Sequence, residues 1–388
     1  MKSIFKKAFA ALLAIAMVFS LAACGVNNYT ANNTEYVIGF SGPLTGPAAV
    51  YGTAVQNSAQ MAVDEINAAG GLNGVKFKLL ATDDTHDATK VAANYASMLE
   101  GGMQVSLGTV TTAPGLEFTN LSAEDNVFFI TPSASGDDIP KKDNGFQMCF
   151  ADGNQGKVAA DYVNSIGLKK IGIFYKSDDA YSNGIFKQFK ENLDSSIETV
   201  EAVFTAANET DFSAQITTLK DCEFIFMPIY YTPASIFMTQ AKDTVAADAV
   251  YYGCDGFDGL AGQFEDFSVI PQEVSMLSHF DSNATEGAAS DFIKKYTDKF
   301  GTDTLNQFGA SAYDCVYAIY NAMKAAIDAG KEIDVTISAS DLCDILKAQF
   351  TGDFSYSGVT GNNITWEDNG YVSKEAVKYT LKTANSAQ

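Results

Sequence analysis

Short apolar stretches of strand length alternate with longer stretches of helical period along most of this 388-residue chain. That alternation restricts the fold more than any other feature. Residues 36–40 (Tyr-Val-Ile-Gly-Phe) read as a strand. Residues 52–68 follow with Val55, Ala59, Ala62 and Ile66 on one helical face. Further strands are predicted over 77–80, 105–107, 127–130, 171–175, 224–227 and 250–252. Helices are predicted over 87–100, 112–124, 155–166, 179–194, 211–220 and 232–242. Strand–helix alternation calls for parallel sheets with helices on both faces. About ten such units are too many for one open sheet of ordinary size. The expected fold class is therefore α/β, with two doubly wound parallel-sheet lobes.

The first 24 residues form a separate pattern. Lys2, Lys6 and Lys7 precede an apolar run over 8–19, which is too short to span a bilayer as a helix. Ser20, Leu21, Ala22 and Ala23 then lead into Cys24. Small residues before a cysteine at the end of such a run mark a signal-peptide cleavage site whose new N-terminus can be lipidated. Residues 1–23 are thus expected to be a lipoprotein signal peptide, with Cys24 as the acylated residue. Residues 24–35, rich in Asn and Thr, are expected to be a polar tether. The expected location is extracytoplasmic, lipid-anchored to the outer face of the cytoplasmic membrane. No later apolar run reaches membrane-spanning length.

Losing Lys2, Lys6 and Lys7 and no acid takes the formal charge from −22 to about −25. Such a surface repels nucleic acid and anionic headgroups. Every basic residue is lysine; the chain has no arginine. An anionic ligand group must then be held by backbone N–H groups, hydroxyls, lysine or a helix N-terminus, with no bidentate guanidinium clamp. Cys149, Cys222, Cys254, Cys315 and Cys343 show no C-x-x-C spacing. They read as small core residues, not as a zinc knuckle or a complete disulfide framework.

Open parallel sheets bind ligands at the carboxyl ends of their strands. The first such turn carries two Gly–Pro pairs, Gly42-Pro43 and Gly46-Pro47, and then Tyr51. The third strand ends in Thr111-Thr112-Ala113-Pro114, a helix start that could simply be capped by a threonine hydroxyl or could offer free N–H groups to an anion. Thr131-Pro132-Ser133-Ala134-Ser135 is a second hydroxyl-rich turn, and the pair makes a candidate carboxylate cradle. Asp255, after Tyr251-Tyr252-Gly253-Cys254, could meet an ammonium group. Tyr181 and Tyr230 lie in turns that could close over a ligand.

With these turns, the chain resembles the leucine/isoleucine/valine-binding family of type I periplasmic binding proteins, the solute receptors of ATP-driven importers, here in lipoprotein form. The resemblance runs from about Tyr36 to Tyr379. It is carried by 41–52, Ala69-Gly70-Gly71-Leu72-Asn73-Gly74, Thr82-Asp83-Asp84, 131–135 and Gly358-Val359-Thr360-Gly361. It implies two lobes joined by a three-crossover hinge. The first lobe would comprise 36–153 plus 280–355, the second 154–279 plus 356–388. An amino acid, branched-chain or otherwise aliphatic, would be enclosed by hinge closure and passed to permease and ATPase subunits. The ligand carboxylate would meet Thr112 and Ser135. The backbone at Ser133 would accept from the ammonium, with Asp255 as counter-charge. Tyr51 and Phe308 would line the first-lobe side, and Tyr181 and Tyr230 would close from the second. The disulfide of the family's Gram-negative members is absent, since Thr85 and Thr111 stand at its positions. Asp255 stands where some members carry the longer glutamate.

An extracellular hydrolase is disfavoured. The two histidines, His86 and His279, sit in no nucleophile or metal-ligand spacing, and no G-x-S-x-G elbow is present. No cofactor, metal or nucleic acid is expected, and a monomer is the default. A sensor of the same fold, or a receptor for amides or short peptides, remains compatible with the sequence.

Overall fold

The computed structural model describes residues 28–384. Residues 1–27, including the expected signal peptide and Cys24, lie outside the described residues. The first sheet begins with β1 (Tyr36–Gly42), buried at all seven positions. Ile38 and Phe40 are fully enclosed there, each such side chain contributing about 1.5–3 kcal/mol. Helix α1 (Ala49–Ala68) returns the chain to β2 (Phe77–Asp83), and α2 (Val91–Glu100) leads to β3 (Val105–Ser106). Helix α3 (Thr112–Glu124), β4 (Phe129–Thr131) and β5 (Gly145–Gln147) complete a five-stranded sheet in the order β2-β1-β3-β4-β5. All its pairings are parallel.

The chain then enters the second sheet through α4 (Asp152–Ser165). β6 (Lys170–Lys176), α5 (Ala180–Asn192), β7 (Glu198–Phe204), α6 (Ser213–Leu219), β8 (Phe224–Met227), α7 (Tyr231–Ala241), β9 (Val250–Gly253) and β10 (Glu273–Ser278) follow. Helices α8 (Gly287–Phe300), α9 (Gln307–Asp328) and α10 (Ala339–Phe350) return to the first sheet. There Lys295 pairs with Glu65 at 3.0 Å, and the Phe350 ring lies 5.0 Å from Phe128. β11 (Val377–Lys382) finishes a six-stranded sheet of order β11-β10-β9-β8-β6-β7. β11 runs antiparallel to β10, an exception to the expected all-parallel arrangement. It follows the last crossing directly, with no helix to reverse it.

The chain therefore passes between the sheets three times. Residues 356–371, counted with the second lobe from sequence, make their contacts on the first. Asp314 of α9 accepts from Tyr356 Oη (2.9 Å), Val359 N (2.8 Å), and Thr360 N (2.7 Å) and Oγ1 (2.5 Å). A Cβ on Gly358 would stand 2.2 Å from Asp314 Oδ1, so only glycine lets this loop wrap the carboxylate. Trp366 Nε1 donates to Gln147 O at 2.8 Å. The described part of the expected tether is also docked. Thr30 is buried and donates to Thr336 O, and Asn33 Nδ2 donates to Gly102 O at 2.8 Å. Cys149, Cys222, Cys254, Cys315 and Cys343 are buried free thiols, as expected.

Candidate functional site

In each sheet the strand order reverses at one place, between β1 and β3 and between β6 and β8. Loops diverge at such switch points and leave a crevice. The two crevices face each other, and the turns singled out from sequence meet there.

On the first lobe, Asp83 accepts from Leu44 N (2.9 Å) and Thr45 Oγ1 (2.7 Å), which folds the Gly–Pro turn back. A Cβ at Gly52 would sit 2.1 Å from Pro43 O, so glycine admits the first turn of α1 against that loop. Tyr51 is carried inward and is fully buried. Its ring meets Phe308 edge-on at 4.9 Å, and its hydroxyl donates to Gly256 O of the second lobe at 2.6 Å. Thr131 Oγ1 accepts from Ser133 N (3.2 Å) and Ala134 N (2.9 Å), shaping the hydroxyl-rich turn. Ser133, Ser135 and Thr112 are all buried beside it.

The sequence left Thr111 and Thr112 between capping and ligand contact. Thr111 is the residue before α3, and its hydroxyl does not cap the helix. It binds His86 Nδ1 at 2.9 Å instead. The two loops that carry Thr85 and Thr111, unlinked by a disulfide, are thus bridged through His86. The Thr112 backbone N–H faces the Tyr230 hydroxyl.

On the second lobe, Asp255 follows β9 and is buried. It accepts from Tyr181 Oη at 2.7 Å, and its N–H donates to Gln155 Oε1 at 2.9 Å. The Gly256 N–H donates to the same Tyr181 oxygen at 2.9 Å. A Cβ there would lie 2.7 Å from that oxygen and 2.8 Å from Ile229 O. The Tyr181 and Tyr230 rings stack at 4.5 Å. Burial pushes the Asp255 carboxyl up to about 6, against the donors that favour its charge.

Sequence reasoning missed three acids and amides at this place. Asp152, on the first turn of α4, is buried, and burial with the nearby Asp255 charge pushes its carboxyl well up. Asp152 Oδ1 and Gln155 Nε2 are enclosed without a hydrogen-bond partner. Enclosed polar atoms thus lie around Asp255, where a polar ligand group would meet them. Asp258 accepts from Gln307 N, at the first turn of α9, at 2.9 Å and ties the lobes. Only folding distinguishes these side chains from the chain's other Asp and Gln.

The arrangement thus has a hydroxyl and N–H cradle on one wall, a buried carboxylate on the other, and tyrosines across the gap. A sequence profile described as Periplasmic binding protein matches residues 35–382. The chain belongs to the periplasmic binding protein family. It is 30% identical over 322 residues to "Leu/Ile/Val-binding protein BraC3" of Rhizobium johnstonii, covering 80% of this chain and 84% of that one. It is 28% identical over 245 residues to the "Leucine-, isoleucine-, valine-, threonine-, and alanine-binding protein" of Pseudomonas aeruginosa, covering 61% and 65%. Among solved structures, it superposes on the branched-chain amino acid transporter substrate-binding protein LivJ of Streptococcus pneumoniae, in complex with isoleucine. That match has a TM-score of 0.76 and 27% identity, covering 89% of this chain and all of the other. Its branch is the Leu/Ile/Val-binding one, with the two-lobed type I fold. Members of that family are transport receptors, not enzymes, and work outside the cytoplasm. Among the described residues, no helix is long and apolar enough to cross a membrane.

Proposed function

We propose that this chain is the solute-binding subunit of an ATP-driven importer and captures an amino acid, branched-chain or otherwise aliphatic, between its lobes. The observation that carries this reading is the buried Asp255 facing the Thr112, Ser133 and Ser135 cradle in a chain without arginine. Thr112 and Ser135 take the ligand carboxylate. Ser133 O and Asp255 take the ammonium, with Asp152 beside it. Tyr51 and Phe308 line the first-lobe wall, and Tyr181 and Tyr230 close from the second. A ligand that bridges both walls favours the closed state by its extra contacts there. The bound solutes named for the relatives support the amino-acid class.

A thermal-shift screen against the twenty amino acids tests this. At a concentration one hundred times Kd, a ligand specific to the folded state adds about 2.7 kcal/mol. Leucine, isoleucine or valine should raise Tm. A rise with a different amino acid would change the substrate, and silence across the panel would overturn the reading.

The leader supports a lipid anchor at Cys24 and delivery to a membrane permease with its ATPase; the receptor itself acts as a monomer. Cys24→Ser should move the protein from the membrane fraction to the soluble one. Retention in the membrane fraction would rule out that anchor.

A further inference from the structure

His86 has so far only bridged two loops, yet the loop after β2 is built around it. Thr85 and His86 both adopt left-handed backbone, with φ of 53° and 65°. Few residues other than glycine do so, and two in succession need external support. The support is present. Asp83 Oδ1 accepts from Thr85 N, and Asp84 Oδ1 from His86 N, each at 2.9 Å. Asp84 is itself buried and holds Ser41 Oγ at 3.2 Å. The imidazole thus projected is fixed through Nδ1 to Thr111 Oγ1. Its ring stands edge-to-face with Tyr230 of the other lobe, centroids 5.2 Å apart at 86°. Tyr230 in turn stacks on Tyr181, which holds Asp255.

We propose that His86 is a positioning residue of the cleft, which holds the Tyr230 ring over the ligand from the opposite lobe. The inference rests on the reading that Tyr230 closes over an amino acid. The charged groups that face the ring are divided, and burial decides its state. From the second lobe, Asp179 and Glu209 favour its charge and Lys176 opposes it, with Glu209 paired to Lys176 at 2.5 Å. Asp87 on its own loop favours the charge. Burial outweighs these and holds the imidazole below its ordinary range. An open cleft returns the ring toward its ordinary range. Closure then releases a proton, so affinity falls as the pH drops through that range, by at most tenfold per pH unit.

The test is a double-mutant cycle on the full chain with L-isoleucine, read by titration calorimetry. His86→Asn is the informative change because asparagine tolerates the left-handed backbone. It should weaken binding about two- to twelvefold, the range of one aromatic pair. It should have no further effect in a Tyr230→Ala background. Asp255 has its own pH dependence, so the second readout is a difference: between pH 7.5 and 5.5, affinity should fall more steeply in wild type than in His86→Asn. Additive effects together with parallel pH profiles would overturn the proposal. If wild type ignores isoleucine, that ligand assignment fails, and the cycle is repeated with the amino acid that raises Tm in the thermal-shift screen, alongside NMR titration of the two histidines in that complex. His86 should titrate below its ordinary range in the wild-type complex and closer to it in Tyr230→Ala. An ordinary value in the ligand-bound wild type would overturn the proposal.

Discussion

Replacing Asp255 with asparagine should raise the Kd for the amino-acid ligand by about one and a half to three and a half orders of magnitude while making the ligand-free protein more stable. The first effect follows from burial. A ligand ammonium enclosed at this place loses its counter-charge, and breaking one side of a buried charged pair costs about 2–5 kcal/mol. The second follows from the empty site. The Asp255 carboxyl is raised from 3.8 to about 6 by burial. Between those two values the folded form binds a proton that the unfolded form has released, so stability falls as the pH rises across that window. Above it, the loss is on the order of 3 kcal/mol. Asparagine removes that cost, keeps an oxygen for Tyr181, and relieves the repulsion with Asp152. Calorimetry at pH 7.5 and thermal melts at pH 5 and 7.5 measure both. Binding within twofold of wild type would take Asp255 out of the site. A lower Tm would make it a structural residue.

Asp314→Ala should have the largest effect on stability, a loss of about 3–5 kcal/mol and a fall in Tm on the order of 10 °C. Its carboxylate gathers two backbone N–H groups and two hydroxyls from residues 356–360. Alanine leaves all four without that acceptor in a partly buried loop, and unmet donors cost more than the bonds contributed. Lys374 suffers as well. Burial holds its ammonium down to about 8, and Asp314 is the acid that partly offsets this. The chain's single tryptophan, Trp366, sits in the same segment on Gln147 O and against Phe350. Its fluorescence in a urea melt reports whether the third crossing stays docked. A midpoint equal to that of wild type would show that the packing of Trp366 holds this segment without Asp314.

Much of the fold was legible because parallel strands covered on both faces are continuous apolar runs. β1, β6, β8 and β9 stand within three residues of the positions read from sequence. β7 and β11 were not seen because neither contains a continuous apolar run. Glu198–Phe204 and Val377–Lys382 alternate with exposed positions and carry charges that pair along the edge, as in Lys170–Glu198 at 3.1 Å. β5 is three residues long, and its burial comes from Trp366 and Gly370, more than 200 residues away. No local pattern contains that information.

The site divides along the same line. Gly–Pro turns, hydroxyl-rich strand ends and an aspartate after a strand are local chemistry, so Tyr51, Thr112, Ser133, Ser135, Tyr181, Tyr230 and Asp255 could be named from sequence, with the family resemblance assigning their roles and adding Phe308. The sequence by itself determined the α/β class, the strand ends on which those residues stand, and the absence of a guanidinium clamp, because each depends on residue type and period alone. The tertiary structure decided which residues meet. Thr111 binds His86 instead of capping its helix, Asp152 and Gln155 lie enclosed around Asp255, and residues 356–371 belong against the first sheet. Each of these rests on groups distant in the chain brought together out of water. There an unmatched charge or hydrogen bond costs kilocalories that it would not cost in an exposed turn.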